Sequence, residues 1–275
     1  MTESDLVTAP QNSEPESSAV SVDVVPRRSR PALHVATLVA ILVVAAGLRL
    51  HRLADFPPGL FIDQAQYGLD AYRIAQGETF PVFVEGPGGN QERGREPLFM
   101  YLMAGVFLVA GPSPVTIKLT SALIGIATVL VTYLAASRFL GERAGLCAAA
   151  LIAVSRWHVT FSRMGFRAIL TPLWVSLVAL ALWWLVKRRT RGAAALFGFV
   201  VGAGFYTYPA YWAVPPALAL IAAAGLWEHR ATLATMTRAV RPLAVAATVA
   251  CLFTIAPLLL YATLHATQFR EDPLE

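Results

Sequence analysis

PGLFIDQAQYGLDAYRIAQG, from Pro58 to Gly77, is a polar interval set between apolar segments, and the side of a membrane on which it falls organises the rest of the chain. Pro57, Pro58 and Gly59 break any helix entering it. Beyond Asp63, the residues Ala65, Gly68, Leu69, Tyr72 and Ala75 recur at helical spacing, which predicts a helix lying along a membrane surface. That helix ends near Gly77, and residues 78–96 read as a loop dense in Gly and Glu that carries Arg93, Arg95 and Glu96.

The 275 residues are 56% hydrophobic and only 14% charged, and the mean hydropathy is +0.58. This composition describes an all-α polytopic membrane protein and excludes an ordinary soluble domain. The net charge of +5 resides mainly in short Lys and Arg clusters between apolar runs, where they act as topology signals, so no nucleic acid partner is expected. Cys147 and Cys251 lie far apart inside apolar runs and read as buried small hydrophobes.

Residues 1–31, rich in Ser, Pro, Glu and Val, read as a disordered cytoplasmic tail ending in Arg27, Arg28 and Arg30. The run from Ala32 to Leu50 follows as a retained signal anchor, because it is longer than a secretion signal needs and no small-residue cleavage site follows it. With the tail inside, residues 51–114 form an extracytoplasmic loop that holds Asp63. The run from Pro97 to Ala110 reaches only about 21 Å against a hydrocarbon core of about 30 Å, so it is expected to be interfacial or re-entrant. Further spans are expected at about 115–139, 146–161, 169–186, 193–208, 212–227 and 242–262, seven in all. Arg138 with Arg143, the group Lys187 to Arg191, and Arg230, Arg238 and Arg241 then share the N-terminal cluster's side, a positive-inside pattern. The expectation is a transmembrane domain over 32–262 in the cell (inner) membrane, with an extracytoplasmic end at 263–275.

This topology gathers two polar stretches with Asp63 on the outer face. SRWHVTFSRMGFR supplies Arg156, His158, Arg163 and Arg167, and FYTYPAYW supplies Tyr206, Tyr208, Tyr211 and Trp212. A carboxylate at the membrane surface can act as general base toward an acceptor hydroxyl, while guanidinium groups neutralise a phosphate leaving group. Asp63 is the candidate base, and Arg163 or Arg167, four residues apart, the candidate phosphate contact. Simpler roles stand beside these: Asp63 as the cap of a helix beginning at Gln64, Asp70 paired with Arg73, and Glu96 paired with Arg93 or Arg95. His158 reads as an interfacial side chain, Arg163 and Arg167 as snorkelling anchors, and the tyrosines as an aromatic belt. No P-loop or Rossmann fingerprint is present, which argues against a nucleotide site.

The order of parts resembles the bacterial membrane glycosyltransferases of family 39, relatives of the protein O-mannosyltransferases and the lipid A aminoarabinose transferase, with the GT-C fold. The resemblance rests on the first span, the Asp63 motif, GREPLFMYL at residues 94–102 and SRWHVTFSRMGFRAILTPL at 155–173, and extends over about residues 32–260. It implies a GT-C-like N-terminal module and an inverting transferase that takes sugar from a polyprenyl-phosphate donor on the outer face. Asp63 matches the Asp of the family's first-loop Asp-Glu motif and would be the catalytic base; Gln64 departs from that motif and removes one carboxylate. Glu96 and Arg95, just before Pro97, are carried over as substrate-binding candidates, together with Arg163, Arg167, Tyr67 and Tyr208. A divalent metal is left open, since some relatives bind one and others do not. Membrane lipids and an unidentified acceptor complete the expected partners, with a protein partner if the chain is truncated, because relatives usually continue through further spans. The alternative is a non-catalytic membrane protein: a lipid-linked-sugar binder or transporter, a scaffold subunit, or a fragment of a longer transferase.

Overall fold

The computed structural model describes residues 31–84, 94–228 and 233–264. The tail expected before Pro31, Arg93, Arg230 and the end from residue 265 onward lie outside the described residues, as does the side chain of Arg238. Among the described residues the chain is helical throughout, with one isolated antiparallel bridge between Val84 and Arg95. In hydrocarbon every backbone N–H and C=O must find its partner within the segment, and helices meet that demand locally.

Helix α1 (Pro31–Leu50) ends where Arg52 adopts a positive φ of 49° ahead of the prolines. The polar interval forms α2 (Ile62–Ala75), closed by Gly77 with φ of 75°. Helix α3 (Leu98–Ala110) is 13 residues long, about 20 Å, matching its expected shortness. Helix α4 (Pro114–Leu140) is started by Ser113, whose Oγ accepts the Thr116 N–H at 3.2 Å while Thr116 Oγ1 accepts the Ser113 N–H at 2.8 Å. Then come α5 (Glu142–Val154), α6 (Arg156–Met164), α7 (Leu170–Arg188), α8 (Arg191–Ala203), α9 (Val214–Glu228) and α10 (Leu233–Leu264).

Among the described residues, four helical segments are long and apolar enough to cross a membrane: Ala32–Leu50, Pro114–Leu140, Arg167–Arg188 and Val240–Leu264. The pair α5–α6, bent by 58° at Ser155, makes a fifth if it is one broken span. The protein is therefore multi-pass, but the seven continuous spans expected from hydropathy are not reproduced. The run at 193–208 is cut by a 3₁₀ turn at Gly204–Tyr206, and the run at 212–227 becomes helical only after the 3₁₀ turn at Pro209–Ala213, leaving α8 and α9 at about 20 and 22 Å. Hydropathy registers the apolar run but not the Gly and Pro breaks inside it.

The site is built around a core in which Tyr67, Ala71 and Ile74 of α2 pack against Phe99, Met100, Met103 and Phe107 of α3 and Ile117 and Ile124 of α4. The expected apolar stripe of α2 is largely not this packing face: Leu69 is 58% and Tyr72 43% exposed, while Gln64, Tyr67, Gly68, Asp70, Ala71 and Ile74 are buried. Hydropathy does not distinguish a lipid-facing stripe from a protein-facing one. The sequence expectation for the thiols is also corrected, since Cys147 is exposed and Cys251 half-buried.

Ile117 is wedged between two glycines. A Cβ at Gly68 would lie 2.6 Å from Ile117 Cδ1, and one at Gly165, where φ is +69°, 2.7 Å from Ile117 Cγ2. Gly165 ends α6 in the left-handed region and turns the chain toward Arg167. Gly165→Ala is expected to destabilise by about 1–2 kcal/mol from backbone strain alone, measured as a lower melting temperature in detergent; an unchanged melt would mean that the turn can relax.

Candidate active site

Asp63 lies in the first turn of α2 and is exposed. Among the described residues it makes no hydrogen bond or ion pair, and it is not the cap: the helix begins at Ile62, with Phe61 as the preceding residue. Gln64 closes that end instead, its Oε1 accepting the Phe61 N–H at 3.2 Å. The substitution that distinguishes this motif from Asp-Glu thus holds the helix start, and it leaves Asp63 unencumbered. One turn further on, Tyr67 is buried on the same helix.

Two cations converge on Tyr67. The Arg95 guanidinium carbon sits 5.3 Å from the ring centroid and that of Arg167 6.0 Å, while Arg167 also lies 5.2 Å from the Tyr208 ring. Phe166 bridges the two tyrosines, with ring centroids 6.2 Å from Tyr67 and 6.3 Å from Tyr208. Burial raises the Tyr67 hydroxyl pKa, Arg167 opposes that rise and Asp63 reinforces it, which records the nearness of all three groups. Asp63, Tyr67, Arg95, Glu96, Arg167 and Tyr208, all singled out from sequence, thus occupy one neighbourhood.

The pairings differ from those read in the sequence. Glu96 is buried and pairs with Arg167 Nη1, 71 residues away, rather than with Arg95 at the surface; Arg93, the other expected partner, lies outside the described residues. Asp70 pairs with Arg95 at 3.9 Å and accepts from Gln66 Nε2 at 2.9 Å, while Arg73, the partner expected from spacing, acts on it through its charge without an ion pair among the described residues. The bridge from Val84 to Arg95 holds Arg95 in place, with N–H to O distances of 2.9 and 2.7 Å. These tertiary partners are invisible to short-range spacing rules.

Arg163 and Arg167 do not share a helical face, because Gly165 breaks the helix between them. Arg163 donates from Nη1 to the carbonyls of Leu48 and Arg49 and from Nη2 to those of His51 and Phe56, at 2.8 to 3.1 Å. It ties down the end of α1 and the turn leading to α2. Lys118, buried on α4, adds a 2.6 Å bond to the Pro57 carbonyl. The Arg163 guanidinium is thus engaged by backbone carbonyls, whereas that of Arg167 lies against the Tyr67 and Tyr208 rings.

Arg49 escaped the sequence reading because it lies within the apolar run of α1. It is fully buried and its guanidinium reaches Ser162 Oγ, the carbonyls of Ala45, Ile152 and Ala153, and His158 Nδ1 at 2.9 to 3.3 Å. Arg49 thereby caps the end of α5 and pins the α5–α6 bend. His158 is buried in this network rather than interfacial. The tyrosines are not a simple belt either: Tyr206 donates to the Thr254 carbonyl and Tyr211 to that of Val201, at 2.8 and 3.0 Å.

Arg95 Nη1, Arg167 Nε and Gln64 Nε2 are buried donors without a hydrogen-bond partner among the described residues, and Asp70 Oδ2, 3.9 Å from Arg95 Nη1, is a buried acceptor without one. Unsatisfied buried donors are costly, and an anion or a sugar hydroxyl would satisfy them. The donor set suits an anion better than a cation: Glu96 is engaged by Arg167, Gln64 Oε1 by Phe61, and no cluster of three His, Cys, Asp or Glu forms among the described residues.

Burial raises the pKa values of Asp70 and Glu96, outweighing Gln66 and Arg95 at the first and Arg167 at the second. A raised folded-state pKa means that the folded protein holds the proton more tightly than the unfolded chain does. The resulting stability is complete below about pH 4 and is lost as pH rises through the raised values. Asp70→Asn should therefore flatten the fall in melting temperature between acid and neutral pH; an unchanged slope would show that Asp70 titrates normally.

The family model for dolichyl-phosphate-mannose-protein mannosyltransferase matches residues 94–266. The match includes Arg95, Glu96, Arg163, Arg167 and Tyr208, and begins after Asp63 and Tyr67. No curated protein matches the chain.

Proposed function

We propose that this chain, which belongs to the dolichyl-phosphate-mannose-protein mannosyltransferase family, is a membrane glycosyltransferase that inverts the anomeric carbon while moving a sugar from a polyprenyl-phosphate donor to an acceptor hydroxyl on the outer face of the membrane. The reading is carried by one observation: an exposed, unpaired Asp63 stands one helical turn from Tyr67, over which Arg95 and Arg167 are stacked with unsatisfied N–H groups.

In the proposed step Asp63 takes the acceptor proton as the acceptor oxygen bonds to the anomeric carbon. The bond from that carbon to the phosphate oxygen breaks on the opposite face, and the electron pair leaves with the phosphate. Arg167 and Arg95 offset the charge that develops there, which matters most in a site shielded from water. Tyr67 and Tyr208 flank the guanidinium groups and limit their motion, so the cations are oriented before the donor arrives. Glu96 holds Arg167 through their ion pair.

The test is transfer of labelled sugar from a panel of polyprenyl-phosphate donors in membranes containing the chain. Transfer with inversion from one donor supports the reading. Silence with every donor, in protein shown to be inserted and folded, would favour a partner-dependent or non-catalytic protein.

A further inference from the structure

A concave surface lies at the other end of α8 from Tyr208. Its lining among the described residues includes Arg191 at the start of α8 and Arg241, Val245, Ala246, Val249 and Phe253 on α10, around a volume of about 990 Å³. The two helices touch closely further along, where a Cβ at Gly198 would lie 1.9 Å from the Ala247 carbonyl oxygen and one at Gly202 2.8 Å from that of Cys251. The groove opens beside this seam.

Arg241, Val245, Val249 and Phe253 follow one another at intervals of four residues, so they form one stripe along α10. The apolar members face outward, with Val245 55%, Val249 60% and Phe253 82% exposed. From Arg241 to Phe253 the stripe runs about 18 Å, close to half of the roughly 30 Å hydrocarbon core. The two guanidinium groups stand at one end, and neither α8 nor α10 contains an Asp or Glu. A molecule that matches this pattern carries one negative group at the membrane surface and an apolar tail one leaflet long.

We propose that this groove binds an anionic phospholipid, its phosphate between Arg191 and Arg241 and one acyl chain along Val245, Val249 and Phe253. The site is distinct from the Asp63 site, since α8 alone separates its Arg end from Tyr208 by about 20 Å. A basic recess between membrane helices is a recognised setting for such headgroups. Its occupancy does not depend on the transferase reading, and its test reads binding rather than turnover.

The experiment is native mass spectrometry of the full chain in detergent, titrated with phosphatidylglycerol or phosphatidylcholine of matched acyl chains. The wild type is expected to retain phosphatidylglycerol about tenfold more strongly or better, since two basic side chains meet its headgroup near the surface. Arg191→Gln with Arg241→Gln should abolish that preference, while Lys187→Gln with Arg189→Gln on the same end should leave it intact. Equal retention of the two lipids, or equal loss in the control variant, would overturn the proposal. So would tight binding of soluble glycerol phosphate without its chains, or an Arg191-dependent dimer that excludes lipid. Should the Gln variants fold poorly, the wild type alone decides: its melting temperature should rise with phosphatidylglycerol and not with phosphatidylcholine.

Discussion

Asp63→Asn is expected to reduce sugar transfer by about 10²- to 10⁴-fold, the range associated with loss of a general base. Asn keeps the size of the side chain and removes only the capacity to accept a proton. Because Asp63 is exposed and makes no hydrogen bond or ion pair among the described residues, the substitution should leave membrane insertion and melting temperature nearly unchanged. Helix α2 does not depend on it for its start, which Gln64 secures by accepting the Phe61 N–H. Loss of transfer in a fully inserted chain would separate a chemical role from a structural one. Turnover within a few-fold of wild type would remove Asp63 as the base, and the mechanism with it.

Arg167→Met is expected to damage both stability and transfer, and the two losses are separable. Glu96 is buried against Arg167, with its side chain only 4% exposed. Removing the cation leaves a buried carboxylate uncompensated, at a cost of about 3–5 kcal/mol. Replacing the pair together, with Glu96→Met and Arg167→Met, removes the orphaned charge and should recover most of the stability, as apolar replacements of buried pairs often do. Transfer should stay depressed by about 10²- to 10³-fold, the scale of a lost electrostatic contact to a developing charge. If the double variant regains both stability and turnover, Arg167 is a structural partner of Glu96 and the phosphate contact belongs to Arg95 alone.

Asp63 and Arg167 were legible in the sequence as charged groups interrupting apolar runs, whereas Arg95 and Glu96 were pointed to by the resemblance to family 39; these four fall in one neighbourhood with Tyr67 and Tyr208. Their partners were not legible. Local spacing suggested Asp70 with Arg73 and Glu96 with Arg93 or Arg95, whereas the fold pairs Asp70 with Arg95 and Glu96 with Arg167. Arg163 looked equivalent to Arg167, and Gly165 alone sends them to different tasks. Arg49 gave no signal beyond being an arginine inside an apolar run.

What the sequence by itself determined is the helical, membrane-embedded character of the chain, since hydropathy is a sum over local residues and a buried backbone in lipid has few alternatives to the helix. It also determined which residues carry charge near the site. Only the tertiary structure decided where helices break within the apolar runs, which face of α2 is packed, and which cation meets which carboxylate. Those outcomes depend on contacts between segments far apart in the chain, such as Glu96 and Arg167, 71 residues apart, and Arg163 and Leu48, 115 apart. They depend also on glycines whose missing Cβ lets Ile117 or Tyr211 approach. Close packing settles such contacts, and hydropathy and short-range periodicity do not encode them.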